Sequence, residues 1–265
     1  MRRRVRAVVV VGLTGVVAAV VVLAERGTDG TAATAPSLAA ALPDEDPLGP
    51  PPRLGLAIPK PRLLAVRTDG VSLWAPVRLP LDLRDAPSEQ GHIVAHVATL
   101  TPEGTSNLVL VTGPTRGERA LWVPVRAPGA SGWAPREALG GYEVVDTRLL
   151  VDTRRFTATL VRANRVVFRA RVGVGTASAP TPTGSYYVRN RLTRYRSAFY
   201  GPVAFGTSAR STLTDWPAGG FVGIHGTSRP ELLPGRVSHG CIRMRNADIL
   251  KLARLMRVGT PVEVT

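Results

Sequence analysis

Glycine and proline interrupt this chain so often that long helices are excluded over most of its length. The 265 residues include 27 glycines and 23 prolines. Between them, in the first half, stand short apolar or alternating runs at residues 63–66, 93–100, 108–111 and 121–125. Short runs bounded by turn residues are typical of the strands of small barrels and sandwiches. Residues 62–140 are therefore predicted to form a small all-β domain.

The same pattern resumes at Tyr142. Strands are predicted at residues 149–151, 156–161, 166–174 and 186–188. Ala163-Asn164 lies between the second and third of these runs, and we expect a hairpin there. Residues 142–265 are thus predicted to form a second, mainly β domain.

One segment of this second domain has helical periodicity. Ile249, Leu252, Ala253 and Met256 form an apolar stripe within residues 247–257. Asn246 precedes the stripe as a potential N-cap, and Gly259 follows it as a stop signal. A single helix packed on the β domain is expected.

The amino terminus has the pattern of an export signal. Four arginines within the first six residues precede an apolar run at residues 7–24. Its eighteen residues fit either a signal peptide or a membrane anchor, and both remain open. Residues 25–61, rich in alanine and proline, predict an extended linker between this segment and the folded domains.

The charge of the chain restricts its partners. The formal net charge is +15, and without residues 1–24, which hold four arginines and no acid, it is +11. Such a surface attracts polyanions. The basic residues are scattered and no nucleic-acid motif is present, so we expect an anionic cell envelope and no nucleic acid. Arginine bias in the genome is the alternative explanation.

The only cysteine, Cys241, is the candidate nucleophile. A single thiol cannot form an internal disulfide, and an exported protein meets an oxidising compartment where a free thiol needs a function. His225 and His239 lie within sixteen positions of it, although the chain has only four histidines. A neighbouring imidazolium is expected to lower the pKa of the thiol. These residues suggest a thiol acyl-transfer site, and a cysteine that only packs as a small buried hydrophobic residue is the equally open alternative.

Several separated motifs carry a resemblance to a known family. They are Ile224-His225-Gly226-Thr227, the run from Val237 to Met244, Pro180-Thr181-Pro182-Thr183-Gly184, Asn246-Ala247-Asp248 and Gly259-Thr260-Pro261-Val262. Together they resemble the bacterial L,D-transpeptidases with a YkuD-like catalytic domain, over about residues 142–265. The resemblance implies a β-sandwich with one packed helix. The hairpin around Trp122 and Trp133 resembles, more weakly, an SH3-like domain in front of it.

The resemblance also implies roles for the motif residues. His225 would take the thiol proton, with the Gly226 carbonyl orienting its ring, and His239 is the competing base or a substrate contact. The N–H groups of Gly240 and Cys241 are candidates for an oxyanion hole. Ser238, Thr227 and Arg243 would face substrate. For Arg243, a substrate carboxylate and a structural salt bridge remain equally open.

The implied substrate is the tetrapeptide stem of peptidoglycan. Cys241 would release the terminal D-alanine, form a thioester, and pass the acyl group to an amine of a neighbouring stem, giving a 3-3 cross-link. Resolution by water would make a carboxypeptidase, and a non-catalytic wall-binding protein is the alternative of a different class. No cofactor or metal is expected.

Two further residue pairs are possible binding sites. His92 and His96 would share one face of a strand, and a solvated or structural pair is favoured over a metal site because no third ligand is near. For Trp122 and Trp133, core packing is favoured over a glycan or peptide groove.

Overall fold

The computed structural model describes residues 71–113, 121–193, 198–211 and 220–265. They all belong to one unit of the chain, Ala41–Thr265. The predicted export segment 1–24, the linker 25–61 and the predicted strand at 63–66 lie outside the described residues. Within the described ranges, no helix has both the length and the apolar character needed to cross a bilayer.

The first part of the described chain folds into an antiparallel sheet. Its strands are β1 (Ser72–Pro76), β2 (Leu81–Arg84), β3 (Ile93–Val97), β4 (Leu108–Val111), β5 (Trp122–Ala127), β6 (Ala130–Pro135) and β7 (Glu143–Val145). They are ordered β3-β2-β6-β5-β4-β1-β7. The strands agree with the predicted mainly β fold class, whereas a separate all-β domain at residues 62–140 and its likeness to SH3 domains stay predictions. The sequence pattern did not reveal that β7 returns to pair with β1.

A second sheet holds the rest of the strands. These are β8 (Thr147–Asp152), β9 (Thr157–Arg162), β10 (Arg165–Arg171), β11 (Gly173–Gly175), β12 (Gly184–Leu192), β13 (Ala204–Arg210), β14 (Phe221–His225), β15 (Gly235–Ser238), β16 (Ile242–Arg243) and β17 (Pro261–Val264). Their order is β10-β9-β8-β17-β12-β13-β14-β16-β11-β15. Alternate residues of the strands point into one core with the helix, which gives the mainly β fold with a packed helix that the sequence predicts.

The predicted hairpin is present between β9 and β10. Ala163 and Asn164 have φ values of 47° and 63°. Both therefore occupy the left-handed region that two-residue hairpin turns require. The alternating pattern on either side of this turn sets the register of the pair.

The helix α1 (Asn246–Leu255) buries the predicted stripe of Ile249, Leu252 and Ala253 against the second sheet. Its N-cap residue is Arg245, and no side chain caps it. The predicted cap by Asn246 is therefore wrong. The amide oxygen of Asn246 instead accepts a hydrogen bond from the Thr227 N–H at 2.9 Å.

The two sheets contact each other through apolar side chains and through an ion pair. Trp74, Leu108, Val145 and Tyr187 form a shared apolar cluster. An ion pair lies beside this cluster. Glu103, in the turn after β3, is 2.7 Å from the guanidinium of Arg189 on β12, and both side chains are buried. Removing one partner of a buried ion pair destabilises the fold, because the remaining charge is left unpaired in a region of low dielectric constant. The contact therefore joins the sheets by charge as well as by packing.

Candidate active site

Neighbouring parallel strands bring the thiol and the imidazole to one face of the second sheet. In the pairing of β14 with β16, Ile224 is opposite Ile242 and His225 is opposite Arg243. The two isoleucines belong to the core. Side chains alternate along a strand, so His225 and Arg243 share the other face with the residue two positions before Arg243, which is Cys241.

Gly223 shows how close the two reactive groups are. A Cβ built on this glycine would lie 3.6 Å from His225 Cδ2 and 3.8 Å from Cys241 Sγ. Both groups therefore border the same small space, which the missing side chain leaves open. The juxtaposition that the sequence predicted for Cys241 and His225 is what the structure contains.

The imidazole of His225 is held as a neutral base. Its Nδ1 lies 2.6 Å from the Gly226 carbonyl oxygen, so the ring donates its proton there. Its Nε2 is buried and has no hydrogen-bond partner among the described residues. Burial lowers the pKa of the imidazole to about 4, against a smaller opposing effect of the Gly226 hydrogen bond. At neutral pH the lone pair on Nε2 is therefore free to accept a proton.

The electrostatics of the thiol correct one expectation. Burial raises the pKa of Cys241, although the Gly223 N–H and the Arg243 charge act in the opposite direction. The Gly223 N–H donates to Sγ at 3.4 Å. Since His225 is neutral, the predicted imidazolium is absent and the resting pair is thiol and imidazole.

The turn before Cys241 is held by internal hydrogen bonds. Ser238 is buried, and its hydroxyl donates to the Cys241 carbonyl at 2.6 Å and accepts the Gly240 N–H at 3.2 Å. Ser238 therefore shapes the turn instead of facing substrate, and the Gly240 N–H is already engaged. The Thr181 hydroxyl donates to the Gly240 carbonyl and accepts the Gly175 N–H, which gives the Pro-Thr-Pro-Thr-Gly motif a structural role.

Thr227 also differs from its predicted substrate-facing role. It is buried, its N–H donates to Asn246, and its hydroxyl accepts the Arg229 N–H at 3.0 Å. A Cβ on Gly226 would lie 2.3 Å from Asn246 Oδ1, so close packing against Asn246 holds the backbone that orients His225. The sequence offered only a cap signal at Asn246 and so missed this function.

Arg243 is buried beside the thiol. Its guanidinium lies 4.6 Å from the centre of the Phe199 ring, and its Nε has no hydrogen-bond partner among the described residues. Tyr200 packs edge-on against the His225 ring at 4.9 Å. Neither aromatic residue carries a motif that would have identified it from sequence.

His239 is exposed, in contrast to His225. Its carbonyl accepts the Ser211 hydroxyl at 3.1 Å. The imidazole of His225, by contrast, is buried and bonded to the Gly226 carbonyl. These surroundings favour His225 as the base.

The remaining candidates lie on the first sheet. His92 Nδ1 is 3.2 Å from an Asp85 oxygen, and His96 Nδ1 is 2.6 Å from an Asp82 oxygen, in exposed pairs. Within the described part of the chain, no cluster of three potential metal ligands occurs. Trp122 and Trp133 are half-buried and stand outside the core cluster of their sheet, so the core-packing expectation is wrong.

The buried histidine predicts acid sensitivity. The pKa of His225 is about 4 in the fold and 6.5 in the reference state, so the unfolded chain binds the extra proton between these values. The free energy of unfolding should therefore fall as pH drops from 6.5 towards 4, by up to about 3 kcal/mol from this group. Denaturant titrations at several pH values should show a shallower loss in His225→Gln. Equal slopes for both proteins would contradict the assignment.

Comparisons with known proteins relate the second half of the chain to one family. Residues 146–264 match the profile of the L,D-transpeptidase catalytic domain, YkuD. YkuD of Bacillus licheniformis, a protein named as an L,D-transpeptidase, is 31% identical over 123 residues, covering 46% of this chain and 68% of the relative. The Bacillus subtilis YkuD is 35% identical over 108 residues, covering 41% of this chain and 59% of that protein's length.

A solved structure is also similar. The catalytic domain of the E. faecium L,D-transpeptidase is 27% identical, with a TM-score of 0.35, over 45% of this chain and 97% of that domain.

Proposed function

Because the chain belongs to the YkuD family of L,D-transpeptidases, we propose that it is a peptidoglycan L,D-transpeptidase that forms 3-3 cross-links. Its donor is the tetrapeptide stem and its acceptor is a side-chain amine of a neighbouring stem. The observation that carries the proposal is the buried, unpartnered Nε2 of neutral His225 beside Cys241 Sγ.

Acylation begins with the neutral pair. As Sγ of Cys241 attacks the carbonyl carbon that precedes the terminal D-alanine, the thiol proton passes to His225 Nε2. The C–S bond forms, the C–N bond breaks, and His225 returns the proton to the departing D-alanine amine. A thioester on Cys241 remains.

Transfer repeats these steps in reverse. The acceptor amine attacks the thioester carbon, His225 takes a proton from the amine nitrogen, and the sulfur leaves and is reprotonated. The Cys241 N–H is the proposed donor to the oxyanion, since the Gly240 N–H is bound to Ser238. No cofactor takes part in this scheme.

Arg243 is proposed to bind a substrate carboxylate. Among the described residues it forms no salt bridge, and its Nε is buried without a partner. A buried guanidinium without an anionic partner is unfavourable, and a carboxylate would satisfy it. These facts favour ligand binding over the structural salt bridge.

The place of action follows from the substrate. We propose an exported protein that works at the cell wall, either secreted or anchored through residues 1–24. Its positive charge suits an anionic envelope, and no role in binding nucleic acid is proposed.

The products of the reaction test the proposal. The unit 41–265 should be incubated with a purified disaccharide-tetrapeptide, and the products separated by mass spectrometry. We expect free D-alanine and dimers whose mass is that of two monomers less one D-alanine. Trimmed monomers without dimers would establish the carboxypeptidase alternative. Absence of D-alanine release from any tetrapeptide donor would overturn the proposal and favour a wall-binding protein.

A further inference from the structure

One peptide group connects the thiol to the strand beside it. The Gly223 N–H donates to Cys241 Sγ, and the carbonyl of the same peptide group, that of Val222, accepts the Thr207 hydroxyl at 2.7 Å. A peptide group is planar and rigid. Holding its oxygen therefore also sets the direction of its N–H.

Thr207 is itself held in place on β13. Its side chain is buried, and its carbonyl accepts a hydrogen bond from Arg189 Nε at 2.8 Å. Its hydroxyl also accepts the Ala209 N–H at 3.2 Å. The Thr207 hydroxyl that donates to Val222 therefore belongs to a residue whose main chain is hydrogen-bonded to the Arg189 guanidinium.

The guanidinium is positioned from the first sheet. Arg189 Nη2 lies 2.7 Å from Glu103 Oε1, and the guanidinium stacks at 3.7 Å over the ring of Phe221, the residue before Val222. The second oxygen of Glu103 accepts the Asn190 amide at 3.0 Å. Charge-assisted contacts between buried groups have narrow geometry, so Glu103 determines where the Arg189 guanidinium lies.

We propose that Glu103 is a positioning residue for the active-site thiol. Acting through Arg189 and Thr207, it orients the Val222–Gly223 peptide that donates to Cys241. A residue beside the first sheet thereby contributes to reactivity at a site built on the second sheet. The inference rests on the proposed role of Cys241 as nucleophile, but its test needs only the reactivity of the thiol.

A purely structural role predicts a different result. If the chain of contacts only stabilises the fold, its disruption lowers the melting temperature and leaves the thiol of the folded fraction unchanged. If it positions the donor, disruption moves the titration of the thiol to higher pH, because the thiolate loses a hydrogen bond. The pH profile of alkylation by iodoacetamide separates the two, since only the thiolate reacts.

Thr207→Val tests the link nearest to the thiol. The change removes the hydroxyl and keeps the shape, so the alkylation rate near pH 7 should fall about threefold to tenfold. The plateau at high pH should be retained. Thr207→Ser restores a hydroxyl and should recover the native profile. Thr147→Val is the matched control, because Thr147 is also buried and bonded to Thr260 through its hydroxyl.

Glu103→Gln tests the far end of the chain. The amide retains the shape of the carboxylate but removes the charge that binds Arg189, and the profile should move in the same direction as for Thr207→Val. The exposed Glu143→Gln on the same sheet is its control. If both residues act on one peptide, the double variant should lose no more reactivity than Thr207→Val alone.

The outcomes are distinct. A shifted profile in Thr207→Val and Glu103→Gln, with unshifted controls, supports the proposal. A lowered melting temperature with the native pH profile in both variants overturns it. Failure of the proposed transpeptidase activity would leave the alkylation results intact, so the two hypotheses fail separately. If Glu103→Gln does not fold, Glu103→Asp takes its place, because it keeps the charge but shortens the reach to Arg189. A native pH profile in the folded Glu103 variant overturns the role of Glu103, whatever the Thr207 series shows.

Discussion

Cys241→Ala should abolish release of D-alanine from the tetrapeptide donor, with a loss on the order of 10⁴-fold or more. The reason is that no other described side chain near His225 is a thiol, and the chain has no second cysteine. Release of D-alanine is measured by a coupled assay, and the acyl-enzyme by intact-protein mass. The variant should carry neither activity nor adduct.

The fold of this variant serves as its control. Alanine removes only the sulfur, which accepts one hydrogen bond from Gly223. Its free energy of unfolding should therefore stay within about 1–2 kcal/mol of the native value. A folded Cys241→Ala protein that still released D-alanine at the native rate would show that the nucleophile lies elsewhere.

His225→Gln should reduce the acylation rate at neutral pH by about 10²- to 10⁴-fold. Glutamine can still reach the Gly226 carbonyl through its amide but cannot accept the thiol proton. The observed rate constant is measured by rapid mixing with an ester or β-lactam acyl donor. In the native protein the acid limb of this rate should lie near the pKa of His225, about 4, and not near that of a free histidine.

His239→Gln is the matched control for this experiment. His239 is exposed, so its loss should alter the rate far less than loss of the buried His225. A larger loss of rate in His239→Gln than in His225→Gln would assign the base to the exposed ring.

Local patterns in the sequence were sufficient for several elements. The left-handed pair Ala163-Asn164 and the stripe of α1 are set by neighbours close in the chain, so their periodicity predicts them. Residue types alone left Cys241 open between a nucleophile and a buried core residue, and the choice of His225 as its partner came from the resemblance to the L,D-transpeptidases.

Long-range contacts account for what the sequence did not reveal. Glu103 and Arg189 are 86 positions apart, and nothing in either segment points to the other. Nothing in the sequence indicated that Gly223 has a role at the site, although a residue two positions before His225 lies on the same face of the strand. Asn246 had a good local explanation as a cap, and a tertiary contact with Thr227 took precedence.

The direction of the thiol pKa could not be read from residue types either. A neighbouring histidine suggested a lowered pKa for the Cys241 thiol. Burial instead keeps His225 neutral and raises the pKa of the thiol. Depth depends on how the sheets pack, and the burial cost outweighs the nearby charge. The resemblance of the motifs suggested the two partners, whereas their burial depends on the fold.

The acceptor that orients His225 is a main-chain oxygen, and this affects how the site can change over evolution. An acidic orienting side chain is lost in one codon change, but every residue that could replace Gly226 brings the same carbonyl. Damage at this position must come through crowding, since any side chain would press on Asn246. Substitutions at position 226 can therefore displace the orienting carbonyl, but they cannot remove it.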